Sequence, residues 1–465
     1  MLQLSFSAEQ SSTPLYEQLY RAIVQQIQQG QLLPGEKLPG KRRLSETLSV
    51  SINTVNTAYQ LLVAEGYLEA RPKSGFFVQS SVGPIAASCQ PVTLPNLSPV
   101  SSFQYDLSTG GIDTSLFPFR TWGRIQRELL YSQPELLNRG HAQGDYNLRC
   151  AIAEYLRAYR AVDCTPEQIV VGAGIEYLVG ILAHLVSGPI AVEDPGYRRT
   201  QQILTNSSIP CIPLPIDAHG LNADLLQQTN ANLVYVTPSH QFPTGAVMPV
   251  GRRAALLQWA SSQPERYIIE DDYDSEFRFD LRPLPSLQGM AGNGGPVVYL
   301  STFSRSLAPS IRIACMVLPQ NLLQRFHSDF SSYSCTVGRF EQQTLRIFLQ
   351  KGHFLRHLSR CRNQYRNRMR LLTAALTQVF PKDMLTFSGQ HTGLHLLLSC
   401  NCGLSEEELV SRAKNAGIRL SGLSDYCFHT SCNPHTLVLG YGALKTEQIE
   451  PLAHLLATIW GVGLP

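Results

Sequence analysis

Val297-Val298-Tyr299-Leu300-Ser301-Thr302-Phe303-Ser304-Arg305-Ser306-Leu307-Ala308-Pro309, followed by Arg312, decides how most of this 465-residue chain is read. Its first four residues are apolar and β-prone, the composition of a strand buried on both faces. Hydroxyls and guanidiniums follow, closed by Ala-Pro. In a sheet covered by helices, ligands sit at the carboxyl ends of strands, so this loop falls where Ser304 and Arg312 can meet a phosphate. Arg305 sits mid-loop, and its guanidinium stays protonated at any working pH, so it cannot act as an amine nucleophile.

Four more short apolar runs, 168–171, 190–192, 233–236 and 267–269, alternate with segments of helical period. This is the pattern of an α/β body with a mostly parallel sheet. Each run leads into a polar stretch. Gly172-Ala173-Gly174-Ile175-Glu176 opens an apolar helix; its glycines permit close backbone approach and its N–H groups can hold a phosphate. Glu193-Asp194-Pro195-Gly196-Tyr197-Arg198-Arg199 can set an aromatic ring beside a ligand, and Thr237-Pro238-Ser239-His240-Gln241-Phe242-Pro243-Thr244-Gly245 is a Pro/Gly-rich loop. In Glu270-Asp271-Asp272-Tyr273-Asp274, a continuing strand puts Asp271 and Tyr273 on one face. A carboxylate there can pair with a protonated ring nitrogen while the phenol donates to a ring oxygen; a solvated acidic turn is the alternative.

The first eighty residues follow a different pattern, three helices and then two strands. Thr13-Pro14 offers a hydroxyl cap followed by proline in the first turn; Leu15, Leu19, Ala22, Ile23 and Ile27 recur at helical spacing, and Gly30 closes the element. A second helix is expected over 41–48. Ser51 caps a third, with Ile52, Val55, Ala58, Tyr59 and Leu62 as its buried stripe and Asn53, Thr54, Asn56, Thr57 and Gln60 on the open side. That open face is small, polar and free of acids, suited to a major groove where amides and hydroxyls read base edges. Two strands within 66–78 flank a basic turn carrying Arg71 and Lys73, a wing fit for a phosphate backbone. Seven Lys/Arg against six Asp/Glu in residues 1–79 is a weak electrostatic footprint, so charge alone also allows a bundle that binds protein.

A net charge of +3 and an apolar content of 43% are ordinary for a soluble globular protein. No apolar run reaches the roughly 18 residues of a membrane span. Met1-Leu2-Gln3-Leu4 lacks the basic region of a secretory leader, so a cytoplasmic location is expected. The eleven cysteines form no C-x-x-C pair, Cys400-x-Cys402 being the tightest spacing, and are expected as reduced thiols. No metal site is expected either: His353 and His357 read as a surface pair, and His391-Thr392-Gly393-Leu394-His395 as a structural lead into a strand. Arg356, Arg360, Arg362, Arg366, Arg368 and Arg370 read as a solvated or salt-bridged helix, with contact to DNA between operator half-sites as the alternative. Residues 80–104, largely Ser, Pro, Ala and Val with almost no charge, read as a connector between a reader at 11–79 and a body at 105–465.

Leu38-Pro39-x-x-Arg42-x-Leu44-Ser45, Val50-Ser51-x-Asn53-Thr54-Val55 and Ala58-Tyr59-x-x-Leu62-x-x-Glu65-Gly66-Tyr67-Leu68 resemble the GntR winged helix-turn-helix family. That resemblance implies DNA contacts from Arg42, Ser51, Asn53 and Thr54, with Arg71 and Lys73 on the wing. Gly40-Lys41 departs from the small or acidic residues usual there, which leaves local base preference open. The five polar stretches of the body, in order, resemble the fold type I aminotransferase family. Over 11–79 and 105–465 the chain resembles the MocR-type subgroup of GntR regulators. The resemblance implies a pyridoxal 5'-phosphate site: Gly172, Ala173, Gly174, Ser304 and Arg312 on the phosphate, Asp271 on the pyridine nitrogen, Tyr273 on the ring hydroxyl and Tyr197 beside the ring. Arg199 becomes a partner for an effector carboxylate. A head-to-tail homodimer is implied as well, with Gly144-Asp145-Tyr146-x-Leu148-Arg149 in a segment near its boundary.

Two residues depart from that family. The lysine that forms the imine aligns with Arg305, and residues 436–441 lack the arginine with which aminotransferases commonly hold a substrate carboxylate, a gap that Arg419 is a candidate to fill. Catalysis needs the lysine as imine partner and proton shuttle, so no catalytic residue is expected. Noncovalent cofactor binding is expected, with Arg305 donating to the aldehyde or to a bound carboxylate. The sequence thus points to a regulator that binds a double-stranded operator and senses pyridoxal 5'-phosphate or a related small-molecule effector, the pyridoxamine form included. An aminotransferase with a DNA tether and a regulator with a vestigial pocket are the rival readings.

Overall fold

The computed structural model of the protein describes residues 13–81, 103–279, 284–429 and 435–461. The chain divides into two compact units, 1–99 and 100–465. Most of the expected connector, residues 82–102, lies outside the described residues.

In the smaller unit, helices Leu15–Gln28, Lys41–Leu48 and Ile52–Ala64 precede an antiparallel pair of strands, Leu68–Arg71 and Gly75–Val78. Leu19, Ile23 and Ile27 meet Val55, Ala58, Tyr59 and Leu62 in one core, and the Tyr59 hydroxyl donates to the Pro39 carbonyl at 2.9 Å. The first helix is capped by Pro14 rather than Thr13, and Gly30 takes a φ of +73° just beyond its end. Ser51 caps the third helix as expected, its Oγ accepting from the Thr54 N–H at 3.0 Å. Ile52 leaves the expected stripe: as the first helical residue it precedes the turn that meets the core and stays 50% exposed. Leu15, first in its own helix, is exposed for the same reason.

The larger unit is built on an eight-stranded sheet in the order Ile169–Gly172, Ala314–Val317, Val297–Thr302, Tyr267–Asp272, Leu233–Val236, Ile190–Asp194, Cys211–Asp217 and Gly220–Leu221. Ala314–Val317 and Gly220–Leu221 run antiparallel to their neighbours; the other pairings are parallel. All five apolar runs are strands, buried along nearly their whole length because helices cover both faces. A four-stranded antiparallel sheet, Leu385–Ser388, His395–Cys400, Thr436–Gly440 and Ser421–Gly422, shares a core with the long helix His353–Val379 and with Ile449–Ile459. Among the described residues, no helix is long and apolar enough to cross a membrane.

Two minor expectations, on His357 and on the cysteines, are corrected here. His357 is no surface residue: it is 4% exposed and bonds the Ser306 carbonyl through Nε2 at 2.7 Å, while His353 is half-buried. The basic run is solvated and salt-bridged as expected: Arg368 turns inward and pairs with Asp113 at 2.7 Å, while Arg356, Arg360, Arg362 and Arg370 stay exposed. Cys427 is disulfide-bonded, against the all-thiol expectation.

Candidate functional site

Strand Tyr267–Asp272 carries two acids to its carboxyl end, and strand alternation sends them to different partners. Asp272 receives Arg160 Nε at 2.5 Å, the Tyr299 hydroxyl at 2.5 Å and Ser275 Oγ at 2.9 Å. Burial pushes its pKa upward, but the Arg160 charge and these bonds win and hold it below the usual carboxylate range. Among the described residues, Asp271 has no such cation within ion-pair distance. The Tyr235 hydroxyl donates to its Oδ2, Oδ1 has no partner among the described residues, and burial lifts the carboxyl to about 7.

Asp271 lines a cavity of about 180 Å³ together with Tyr197, Arg199, Tyr273, Ser304, Arg305 and Arg312. Five separate stretches of sequence thus meet here, through Glu176, Tyr197, Thr237, Asp271 and Ser304. The Tyr197 ring lies edge-on to Phe242 with centroids 5.4 Å apart. Ser304 is set by its own loop: its N–H donates to Thr302 Oγ1 at 3.1 Å, and that hydroxyl donates to Ser304 Oγ at 3.0 Å. Arg305 donates to the Thr109 carbonyl and, among the described residues, has no carboxylate within ion-pair distance.

The expected glycine turn stands beside this cavity, with its first N–H groups already used. Ala173 N–H donates to Thr336 Oγ1 at 3.0 Å and Gly174 N–H to the Gly172 carbonyl at 2.8 Å. Ile175 and Glu176, at the start of helix Ile175–Leu185, are the residues that line the cavity. Gly174 has φ +95°, a backbone conformation that favours glycine, and the Arg312 guanidinium lies 2.5 Å from where a Cβ would stand. Glu176 then bridges two arginines: Arg312 Nη2 reaches its Oε2 at 2.8 Å and Arg199 Nη1 its Oε1 at 3.0 Å. Burial raises the Glu176 carboxyl, but hydrogen bonds from Arg312 and Arg199 bring it below its ordinary value.

Tyr273 Oη lies 2.9 Å from His240 Nδ1, which is also within 3.0 Å of both Asp274 oxygens. An Nδ1–H that donates to Asp274 cannot accept from the phenol, so the Tyr273 proton is available to a ligand oxygen. His240, Asp274 and His395 bring ligand-type atoms within 4.8 Å of one another. His240 Nδ1 is committed to Asp274 and His395 Nε2 contacts the Pro243 carbonyl at 3.1 Å, while His240 Nε2 has no hydrogen-bond partner among the described residues. Arg419 is exposed, 4.0 Å from Asp106, and is not among the cavity-lining residues. Asp145 of the expected boundary segment is buried, receiving Arg339 Nε at 3.0 Å and Gln343 Nε2 at 2.7 Å.

Sequence reasoning missed Thr109 and Gly110, which reach the site only through the tertiary fold, and the bridging role of Glu176. Thr237 and Phe242 lie in a stretch already marked by its Pro/Gly content, but without a role.

On the smaller unit, Arg42, Asn53, Arg71 and Lys73 are exposed and Thr54 is half-buried. Asn56 is withdrawn from the open face by Lys41, whose Nζ donates to its Oδ1 at 2.5 Å and lies 5.0 Å from the Phe76 ring centre. Arg71 packs over Phe77 at 4.5 Å and pairs with Glu69 at 2.9 Å. Lys73 holds the wing turn at φ +61°.

A three-helix reader with a wing, beside an aminotransferase-like α/β unit, defines a class of DNA-binding regulators. Residues 15–78 match the family described as bacterial regulatory proteins, gntR family, and residues 104–427 match aminotransferase class I and II. The HTH-type transcriptional regulator YdeL of Bacillus subtilis (strain 168) is 37% identical over 97% of this chain and 97% of its own length. The probable rhizopine catabolism regulatory protein MocR of Rhizobium meliloti is 34% identical over 95% of this chain and 92% of its own. The chain belongs to the MocR-type transcriptional regulators of the GntR family. Its fold is also that of Pyrococcus horikoshii kynurenine aminotransferase, at a TM-score of 0.68 and 22% identity over 78% of this chain and 91% of that one.

Proposed function

We propose that this regulator grips its operator through residues 11–79 and senses pyridoxal 5'-phosphate, or a close relative, within residues 105–465 without a covalent bond. One observation carries the reading: the cavity joins Asp271 to Arg312 around Arg305, and the chain has no lysine anywhere between Lys73 and Lys351. The residues fit the group. The bare buried oxygen of Asp271 suits a protonated pyridine nitrogen, and the Tyr273 proton suits the ring hydroxyl. Ser304 and Arg312, beside the Gly172-Ala173-Gly174 turn, suit the phosphate, Tyr197 suits the ring face, and Arg199 suits an effector carboxylate. When bound, pyridoxal phosphate supplies a carbonyl open to amines; Arg305 can donate to that oxygen but cannot attack its carbon.

The reading includes no catalytic residue, a head-to-tail homodimer, a cytoplasmic site of action, a connector at 80–104 and DNA contacts from Arg42, Ser51, Asn53, Thr54, Arg71 and Lys73. Thermal unfolding with added pyridoxal phosphate tests the pocket, since a ligand of the folded state must stabilise it. A raised unfolding midpoint with no visible Schiff-base absorbance is expected. An unchanged midpoint at saturating ligand, or ligand-dependent transamination, overturns the reading.

A further inference from the structure

Arg305 is a half-buried permanent cation that lines the cavity and is answered by one backbone carbonyl, that of Thr109. No described carboxylate lies within 4.0 Å of it. The other guanidiniums of the site differ in this respect: Arg199 and Arg312 share Glu176, and nearby Arg160 is clasped by Asp272. No described acid neutralises it at close range, although its charge favours the ionised form of Asp271 across the cavity. Its charge is felt by His395, whose protonation burial, His240 and Arg305 all oppose, and by the Tyr197 and Tyr273 phenols. A guanidinium left with open donors in a confined cavity is a receptor for a planar anion, since its fork matches a carboxylate with two parallel N–H···O bonds.

We infer that the ligand of this pocket is a phosphorylated pyridoxyl compound whose 4-substituent ends in a carboxylate, which Arg305 binds. The inference rests on the cofactor reading above and deepens it by naming the chemical class. With the ring nitrogen at Asp271, the phosphate at Arg312 and Arg199 paired with Glu176, the cavity cation without an ion-pair partner among the described residues is the one at residue 305. A cationic 4-substituent, as in the pyridoxamine form, is repelled there; a neutral one leaves the guanidinium donors unanswered. Two sources share the required chemistry: a 4-carboxylate on the ring itself, and the carboxylate of an amino acid joined to the ring through a 4-methylene amine.

Calorimetric titration of the full chain with four ligands of one ring and phosphate decides the matter. These are 4-pyridoxate 5'-phosphate, N-(5'-phosphopyridoxyl)-L-alanine, pyridoxine 5'-phosphate and pyridoxamine 5'-phosphate. At least one carboxylate ligand is expected to bind roughly ten- to a hundredfold more tightly than the neutral pyridoxine form, with the amine weakest. Whichever carboxylate ligand leads identifies the source. In Arg305→Met and Arg305→Gln the carboxylate preference should collapse, the carboxylate ligands losing far more affinity than the neutral one, and an unchanged cooperative unfolding transition reports that the variants fold. Equal affinity for all four ligands, a preference for the amine, or a carboxylate preference that survives both substitutions overturns the inference while the cofactor reading stands. Failure of all four to bind overturns both.

Discussion

Replacing Asp271 with asparagine separates what this acid costs the empty protein from what it gives to a ligand. Its carboxyl is fully buried, has one bare oxygen and is lifted from 3.8 to about 7 by burial. An acid whose folded-state pKa is raised contributes stability that is complete below its unfolded value and is lost as pH climbs through the folded one. At 1.36 kcal/mol per tenfold, the loss through this group is about 4 kcal/mol by pH 8, with a little over a third already gone by pH 5. Asparagine does not titrate, and its amide leaves an unsatisfied polar group worth about 1–3 kcal/mol. That penalty is nearly independent of pH, so the robust quantity is the change in the variant-minus-parent difference. It should move by roughly 2–3 kcal/mol in favour of Asp271→Asn between pH 5 and pH 8. Glu270 and Glu276 are also raised to about 7 by burial, but they are common to both proteins and cancel; Glu193, raised to about 7 chiefly by burial, also feels the Asp271 charge and should relax slightly downward in the variant, a shift in the same direction. All three tryptophans, Trp122, Trp259 and Trp460, belong to the larger unit, so fluorescence-detected denaturation reports that unit alone. With pyridoxal phosphate at 100 times its Kd the parent should gain about 2.7 kcal/mol and the variant much less. A pH-independent difference together with an undiminished ligand shift in Asp271→Asn would refute the reasoning.

Arg42→Ala should weaken binding to a duplex selected from a random pool and reduce the salt slope by about 0.9, the signature of one lost phosphate contact. Arg71→Ala should weaken it less, because Arg71 is already held by Glu69 and Phe77; wild-type affinity in both variants counts against the reader assignment. Arg305→Lys should acquire visible Schiff-base absorbance when pyridoxal phosphate is added, and a variant that stays colourless at saturation contradicts the placement of residue 305 opposite the aldehyde. Glu176→Gln removes the negative charge shared by Arg199 and Arg312 and should tighten inorganic phosphate or phosphorylated ligands several-fold by calorimetry. Weaker binding there would make Glu176 a ligand contact instead of a competitor.

Much of the sheet was legible because strands buried on both faces must be apolar throughout, and their polar ends then stand out. Asp271, Tyr273 and Ser304 could be named for that reason, each lying at or just beyond such an end, and Arg312 because it closes the loop that starts there. Strand Ala314–Val317 was not marked, since it begins within two residues of Arg312 and runs antiparallel to both neighbours. Thr109 has no local pattern of its own and meets Arg305 across nearly two hundred residues of chain. Polar spacing also misjudged His357, where periodicity gives a helix but not the neighbour that buries its face, and Ile52, where helical phase fails in the first turn. The glycine turn was found from its residues, yet only the hydrogen bonds of Ala173 and Gly174 reveal that those N–H groups are already taken.

The account turns on a ligand held by charge and hydrogen bonds that changes how the protein holds DNA. Operator affinity of the purified full chain, measured by fluorescence anisotropy at fixed salt with and without saturating pyridoxal phosphate or its tightest-binding analogue, addresses that directly. A shift of about fivefold or more in either direction, abolished in Asp271→Asn, is the predicted result. Identical affinities with ligand demonstrably bound would contradict it.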